Sequence, residues 1–265
     1  MLVTADGERS LITDLQAANN YKIEHFNEEA QQAALSASKI VYSSGFFMTV
    51  CPDAMLAAAK HCNATGKSYC LNLAAPFLIE VPPFWAVLES LLPYADYVFG
   101  NESEYETFAK KMEWDPSNMK ETVAKLQALP KEGKPRTAIV TQGSLPALIA
   151  TADAVTEHPV IPCDNVVDTN GAGDAWVGGF LFGLATSKEV ADCVKAANYA
   201  ANHIIQRSGV PPCALAPLRD PNATPRGLSV SHADPTCLPP LRQDVQWPIN
   251  RKSTECYSVL QLELS

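Results

Sequence analysis

Four short apolar runs rich in β-branched and aromatic residues punctuate the chain: KIVYSSGFF (39–47), SYCLNLAAP (68–76), DYVFGN (96–101) and RTAIVTQG (136–143). Between them lie stretches with apolar residues at helical spacing, PDAMLAAAKHCNA, FWAVLESLL, ESEYETFAKKM and SNMKETVAKLQAL. Short buried strands alternating with amphipathic helices predict right-handed βαβ units and a mainly parallel sheet. The segments PALIATAD and AVTEHPVIP then predict a local antiparallel addition, followed by two helices, from about Ala172 to Ala185 and from Lys188 to Gln206. The periodicity stops after Gly209. Residues 211–265 carry nine of the 20 prolines and three scattered cysteines, and no helical or strand period survives. One α/β domain over 1–210 and an irregular, disordered tail over 211–265 are therefore expected.

Composition narrows the function classes. The 265 residues are 47% hydrophobic and 18% charged, as in a globular protein with a substantial core. A net charge of −9 argues against nucleic acid or an anionic membrane as partner. No apolar run approaches the roughly 18 to 20 residues a membrane helix needs. The opening MLVTADGERS lacks the basic flank and apolar core of a signal peptide. The eight cysteines show no C-x-x-C pair, and no histidine completes a zinc site. Free thiols and a cytoplasmic location are expected.

HCNATGKSYC contains Gly66-Lys67-Ser68, which looks like the end of a phosphate-binding loop. The full pattern requires a glycine five residues earlier, and that position is His61. The direction is also reversed, because the segment leaves a helix and enters a strand. A helix C-terminus is the wrong dipole end for phosphate. Gly66 is expected simply to end a helix.

VVDTNGAGDAWVGGF (166–180) has the correct direction, extended chain running into helix. Gly171, Ala172 and Gly173 fall at a helix N-terminus, where several backbone N–H groups lack internal partners. Small side chains let an anion approach those amides, and the helix dipole favours its charge. Asp174 lies in the first turn. It can accept a proton from a hydroxyl, or it can be an ordinary N-terminal acid that complements the dipole. Gly178 and Gly179 inside the helix each cost about 1 kcal/mol relative to alanine, so close packing against the sheet or a nucleotide is expected of them.

These residues carry a resemblance. DTNGAGDAWVGGFL (168–181) resembles the C-terminal signature of the ribokinase/phosphofructokinase-B family of sugar and nucleoside kinases. GERSLITDLQAANNYKIEH, SSGFFMTVCPDAM, LNLAAPF, DYVFGNESE and IIQRSG resemble segments of its adenosine-kinase branch, in the same order, over residues 7 to about 209. The resemblance implies a ribokinase-like three-layer α/β/α fold and transfer of the ATP γ-phosphate to the 5′-hydroxyl of adenosine.

It also implies site roles. Asp174 would be the general base, and Asn170 with the amides of Gly171, Ala172 and Gly173 would form the anion hole. Asn101 and Glu104 match the family's N-x-x-E motif, implying a Mg²⁺ role. Read from the residues alone, the same pair also fits a helix cap. Thr141 and Gly143 of TQG match an ATP-phosphate loop. Asn198 would line the adenine pocket of ATP, or else be a plain exposed polar residue. Phe77 matches an aromatic that stacks on the nucleoside base, and Arg9 an arginine that reaches toward the phosphates. The implied partners are small molecules, adenosine and ATP, with a monomer expected of a complete chain.

Two departures qualify this. Family members begin well before the segment that matches Met1, so the lid region and a ribose-gripping aspartate are expected to be largely missing. After QRSG the sequence runs into an unrelated tail. An N-terminally truncated chain is therefore expected. A nucleotide-binding isoform without turnover, and a kinase for another sugar or nucleoside, stand as alternatives.

Overall fold

The computed structural model describes residues 15–209, together with the backbone of two short paired strands, β1 (Leu2–Val3) and β2 (Arg9–Ser10). The expected tail, residues 211–265, lies outside the described residues.

A one-turn 3-10 helix (Gln16–Asn20) leads into α1 (Ile23–Phe26) and α2 (Glu29–Ala37). Then come β3 (Ile40–Ser44), α3 (Pro52–Thr65), β4 (Ser68–Asn72), α4 (Pro76–Glu80), α5 (Pro82–Leu91) and β5 (Tyr97–Asn101). They are followed by α6 (Glu102–Lys111), α7 (Met119–Ala128), β6 (Thr137–Gln142), β7 (Leu145–Ala150) and β8 (Val155–His158). The pair α8 (Ala172–Ala185) and α9 (Val190–Ile205) ends the described chain.

Strands β3 to β8 form one six-stranded sheet in sequence order. β3 through β6 are parallel, and β7 and β8 add antiparallel, as the sequence pattern predicts. Side chains alternate across a strand, and the core divides accordingly. Tyr69, Leu71, Val98, Ala138, Val140 and Leu148 face one cluster with α3 and α5–α7. Cys70, Phe99, Ile139, Ala147 and Ile149 face the other, with Trp176, Val177 and Phe180 of α8 and Cys193 and Val194 of α9. Three layers follow, helices on both faces of a sheet, which is the expected fold class.

Two strands stop earlier than the apolar runs suggest. β3 ends at Ser44, whose side-chain oxygen accepts the Phe46 N–H at 3.4 Å and caps a one-turn 3-10 helix, Gly45–Thr49. β4 ends at Asn72, whose side chain accepts the Ala74 N–H at 3.0 Å and turns the chain toward α4. Local side-chain bonds outcompete the ladder at both points. Gly66 sits in the left-handed C-cap of α3, as expected, and the Lys67 ammonium donates to the carbonyls of Ser36 and Ser38 instead of to a phosphate.

The opposite end of the sheet is tied by charge. Arg136, 1% exposed, donates to the carbonyl oxygens of Leu92, Ala95, Leu126, Leu129 and Pro130. Burial lowers its pKa to about 10. Nearby, Asp96 accepts the Tyr69 N–H at 2.9 Å and pairs with Lys131 at 3.0 Å. Among the described residues no helix is long and apolar enough to cross a membrane.

Candidate active site

In open α/β sheets, ligands gather beyond the carboxyl ends of the parallel strands. Each of the four parallel strands here ends in a residue of interest. β3 is followed by Phe46, β4 by Phe77, β5 by Asn101 and Glu104, and β6 carries Thr141.

Helix α8 is aimed at the same end. Phe180 packs on Tyr97 and Phe99, with ring centroids 5.9 and 5.4 Å apart, while Trp176, one turn earlier, reaches Phe99 at 6.4 Å. The helix therefore runs antiparallel to β5, and its N-terminus lies toward Asn101. Its N-cap, Gly171, has φ of +75°, a left-handed conformation that glycine adopts without strain. The N-cap is a glycine, the Ala172 N–H donates to the Thr169 carbonyl at 3.2 Å, and a Cβ at Gly173 would meet nothing within 4 Å. Asn170 is half-buried beside this turn, and its N–H donates to Asp168 at 2.8 Å. Asp174 is exposed, in the first turn. The helix glycines split in role. A Cβ on Gly179 would lie 2.6 Å from the Ala196 carbonyl oxygen, and one on Gly183 would lie 2.7 Å from the Cys193 sulfur, so the close partner is α9 and not the sheet.

Asp168 is 5% exposed and was not singled out by the sequence pattern beyond its place in the signature. Its carboxylate accepts the N–H of Asn170 at 2.8 Å and of Gly209 at 3.1 Å. It thereby clamps the glycine turn to the end of α9. The signal was there in the paired acids of DTNGAGD, but only the fold shows which one is buried.

Asn101 and Glu104 form a reciprocal cap on α6. Asn101 Oδ1 accepts the Glu104 N–H, Glu104 Oε2 accepts the Asn101 N–H, and Asn101 Nδ2 donates to Glu104 Oε1, all at 3.0 Å. Burial pushes the Glu104 carboxyl up to about 7; the Asn101 N–H opposes this, and the negative charges of Glu102 and Asp174 add to it. A carboxylate held beside another acid is one whose repulsion a cation would relieve. No group of three or more His, Cys, Asp or Glu able to hold a metal occurs among the described residues. Asn101 and both Glu104 oxygens are bonded within the cap, so a Mg²⁺ role for the pair would run through water and phosphate.

Thr141 pairs with Asn101 across the β5–β6 ladder and donates its hydroxyl to the Gly100 carbonyl at 3.4 Å. Gly143, at φ +56°, turns the β6–β7 hairpin and has open space where a side chain would be. Phe77 is 42% exposed and lies 6.2 Å from Phe46, itself 51% exposed. Phe46 was missed in the sequence because SSGFF reads as strand interior. Of Arg9 only the backbone in β2 is described.

Asn198 is corrected. It is 7% exposed, its oxygen accepts the Trp176 indole N–H at 2.9 Å, and its amide donates to the Pro159 carbonyl at 2.9 Å. Both ends of the amide are committed to joining α8, α9 and the preceding loop. It is not a plain exposed polar residue.

The pfkB family carbohydrate kinase model matches residues 1–216. The chain belongs to the pfkB family. It is 44% identical to adenosine kinase 1 of Arabidopsis thaliana over 207 residues, 77% of this chain and 60% of that protein. Identity to the adenosine kinase of Dictyostelium discoideum is 38% over 206 residues, 76% of this chain and 60% of that one. Among solved structures, adenosine kinase from Anopheles gambiae superposes with a TM-score of 0.70 at 42% identity, covering 73% of this chain and 58% of that one. Adenosine kinase from Schistosoma mansoni in complex with adenosine and AMP gives 0.68 at 30% identity, covering 73% and 58%. The chain spans about 60% of the length of the curated relatives it matches.

Proposed function

We propose that this pfkB-family chain is an adenosine kinase, transferring the γ-phosphoryl group of ATP to the 5′-hydroxyl of adenosine. The observation that carries the reading is the left-handed, small-residue start of α8, with Asp174 in its first turn, aimed at the carboxyl end of the parallel strands. The relatives' identity as adenosine kinases supports the choice of acceptor.

Asp174 is the general base. It takes the 5′-hydroxyl proton as that oxygen bonds to the γ-phosphorus; the bond from that phosphorus to the bridging oxygen breaks, and ADP leaves with the electron pair. The backbone N–H groups of Gly171, Ala172 and Gly173, with Asn170 beside them, hold the charge of the phosphoryl group in flight. Thr141 and Gly143 line the ATP phosphates. Phe77 and Phe46 offer ring faces to the nucleoside base. Asn101 and Glu104 would orient Mg²⁺ and its waters. Such an ion would supply positive charge to the phosphates.

The test is transfer of labelled phosphate from Mg-ATP across a panel of acceptors: adenosine, other nucleosides and simple sugars. Labelled AMP formed in preference to all other products supports the reading. A preferred sugar or a different nucleoside replaces the acceptor but keeps the chemistry.

A further inference from the structure

The turns that follow β3 and β4 are joined by contacts that phosphoryl transfer does not use. A Cβ at Gly45 would lie 2.6 Å from the Leu73 carbonyl oxygen and 2.8 Å from that of Asn72, so one turn rests directly on the backbone of the other. Beside that contact, Asn72 Nδ2 donates to the Tyr42 hydroxyl at 3.2 Å, and Asn72 Oδ1 accepts the Ala74 N–H at 3.0 Å. Tyr42 and Asn72 lie on neighbouring strands and on the same face of the sheet. Ala74 has φ of +67°, a conformation that side chains other than glycine and asparagine rarely adopt. Two bonds close the turn around it: the Ala75 N–H donates to the Leu73 carbonyl at 2.9 Å, and the Asn72 side chain adds the Asx bond to the Ala74 N–H.

What these contacts position is an exposed aromatic pair. Phe46 follows Gly45 directly, and Phe77 stands three residues after Ala74, just inside α4. Their centroids are 6.2 Å apart with ring planes inclined at 47°.

We propose that Asn72, oriented by Tyr42, is a positioning residue that sets the spacing of Phe46 and Phe77 and so the fit of a purine nucleoside against them. The identity of the ligand rests on the reading above; the positioning does not. Asn72 touches no substrate. It acts through Ala74: without the Asx bond the turn keeps only its Ala75–Leu73 backbone bond, and Phe77 shifts relative to Phe46. Without the Tyr42 hydroxyl the Asn72 amide loses the acceptor that fixes its rotamer. The effect is the same in kind and smaller.

The test uses the full chain labelled with 4-fluorophenylalanine and read by ¹⁹F NMR, with the two resonances assigned from Phe46→Leu and Phe77→Leu. Asn72→Ala and Tyr42→Phe are expected to shift both resonances. Adding Ala74→Gly to Asn72→Ala is expected to return them, because glycine holds the left-handed turn unaided. Adenosine binding by calorimetry should weaken about tenfold in Asn72→Ala, the factor that about 1.4 kcal/mol represents. It should weaken less in Tyr42→Phe and recover in the Ala74→Gly double variant, with ATP binding unchanged throughout. Where Asn72→Ala does not fold, Tyr42→Phe carries the test. Unmoved resonances overturn the positioning role. An equal loss of ATP binding, or no recovery with glycine, means general structural damage and overturns it too. Resonances that respond in a protein that binds ATP but no adenosine leave the positioning standing and sink the choice of nucleoside.

Discussion

Glu104 and Asn101 each accept the other's backbone N–H at 3.0 Å, and the buried carboxyl of this pair also lies in the field of Asp174. One side chain thus closes a helix cap and stands at the edge of the proposed phosphoryl-transfer site. Its titration is the consequence that can be measured first. The folded pKa, about 7, lies above the 4.5 of an ordinary glutamate carboxyl. The folded state therefore holds this proton more tightly than the unfolded chain. Stability from this group is full below about pH 4.5 and is lost as pH rises through about 7. Urea unfolding at pH 5 and pH 8 should show wild type losing up to about 3 kcal/mol relative to Glu104→Gln over that interval. A parallel pH dependence in the two proteins would place the carboxyl in the ordinary range.

Mg²⁺ bound between Glu104 and phosphate would pull the same proton off. Adding Mg²⁺ with a non-hydrolysable ATP analogue should therefore flatten the pH dependence of wild type and leave Glu104→Gln unchanged. An identical response in both proteins would remove Glu104 from the metal role.

The two neighbouring glycines of α8 predict opposite outcomes. At Gly179 a methyl group would collide with backbone, 2.6 Å from Ala196 O and 2.7 Å from Ala197 Cα, so Gly179→Ala should push α9 away and cost roughly 1–3 kcal/mol. At Gly178 nothing lies within 4 Å, and Gly178→Ala should stabilise by up to about 1 kcal/mol through helix propensity. Thermal unfolding of the two variants decides it.

Arg136 should tolerate no substitution, lysine included. Its planar fork satisfies five carbonyl oxygens, and a single ammonium cannot reach them all. Both Arg136→Lys and Arg136→Met should lower stability by about 3 kcal/mol or more in denaturant unfolding, since each leaves buried acceptors unpaired. A lysine variant as stable as wild type would mean the carbonyls are satisfied some other way.

Much of this architecture was legible in the sequence because it rests on periodicity. The parallel strands, α3 and α5–α9, and the antiparallel addition each carry a pattern strong enough to read alone. What was hidden depends on single side-chain bonds. Ser44 and Asn72 end their strands by capping and turning, so SSGFF and LNLAAP look extended until the hydrogen bonds are seen. Phe46 was lost with that misreading. α4 spans only five residues, too few to show a period. The burial of Asn198 was hidden for a related reason: an amide on an amphipathic helix looks the same whether it faces solvent or an indole N–H. The start of α8 at Gly171 and Ala172 was legible because extended chain running into small residues marks a helix N-terminus.

The most direct measurement is AMP formation from adenosine and Mg-ATP by the purified chain, beside Asp174→Asn. If Asp174 is the base, wild type turns over and the variant falls by roughly 10²- to 10⁴-fold while ATP binding holds. Equal turnover in the two proteins, or no turnover from folded wild type that binds ATP, would contradict it.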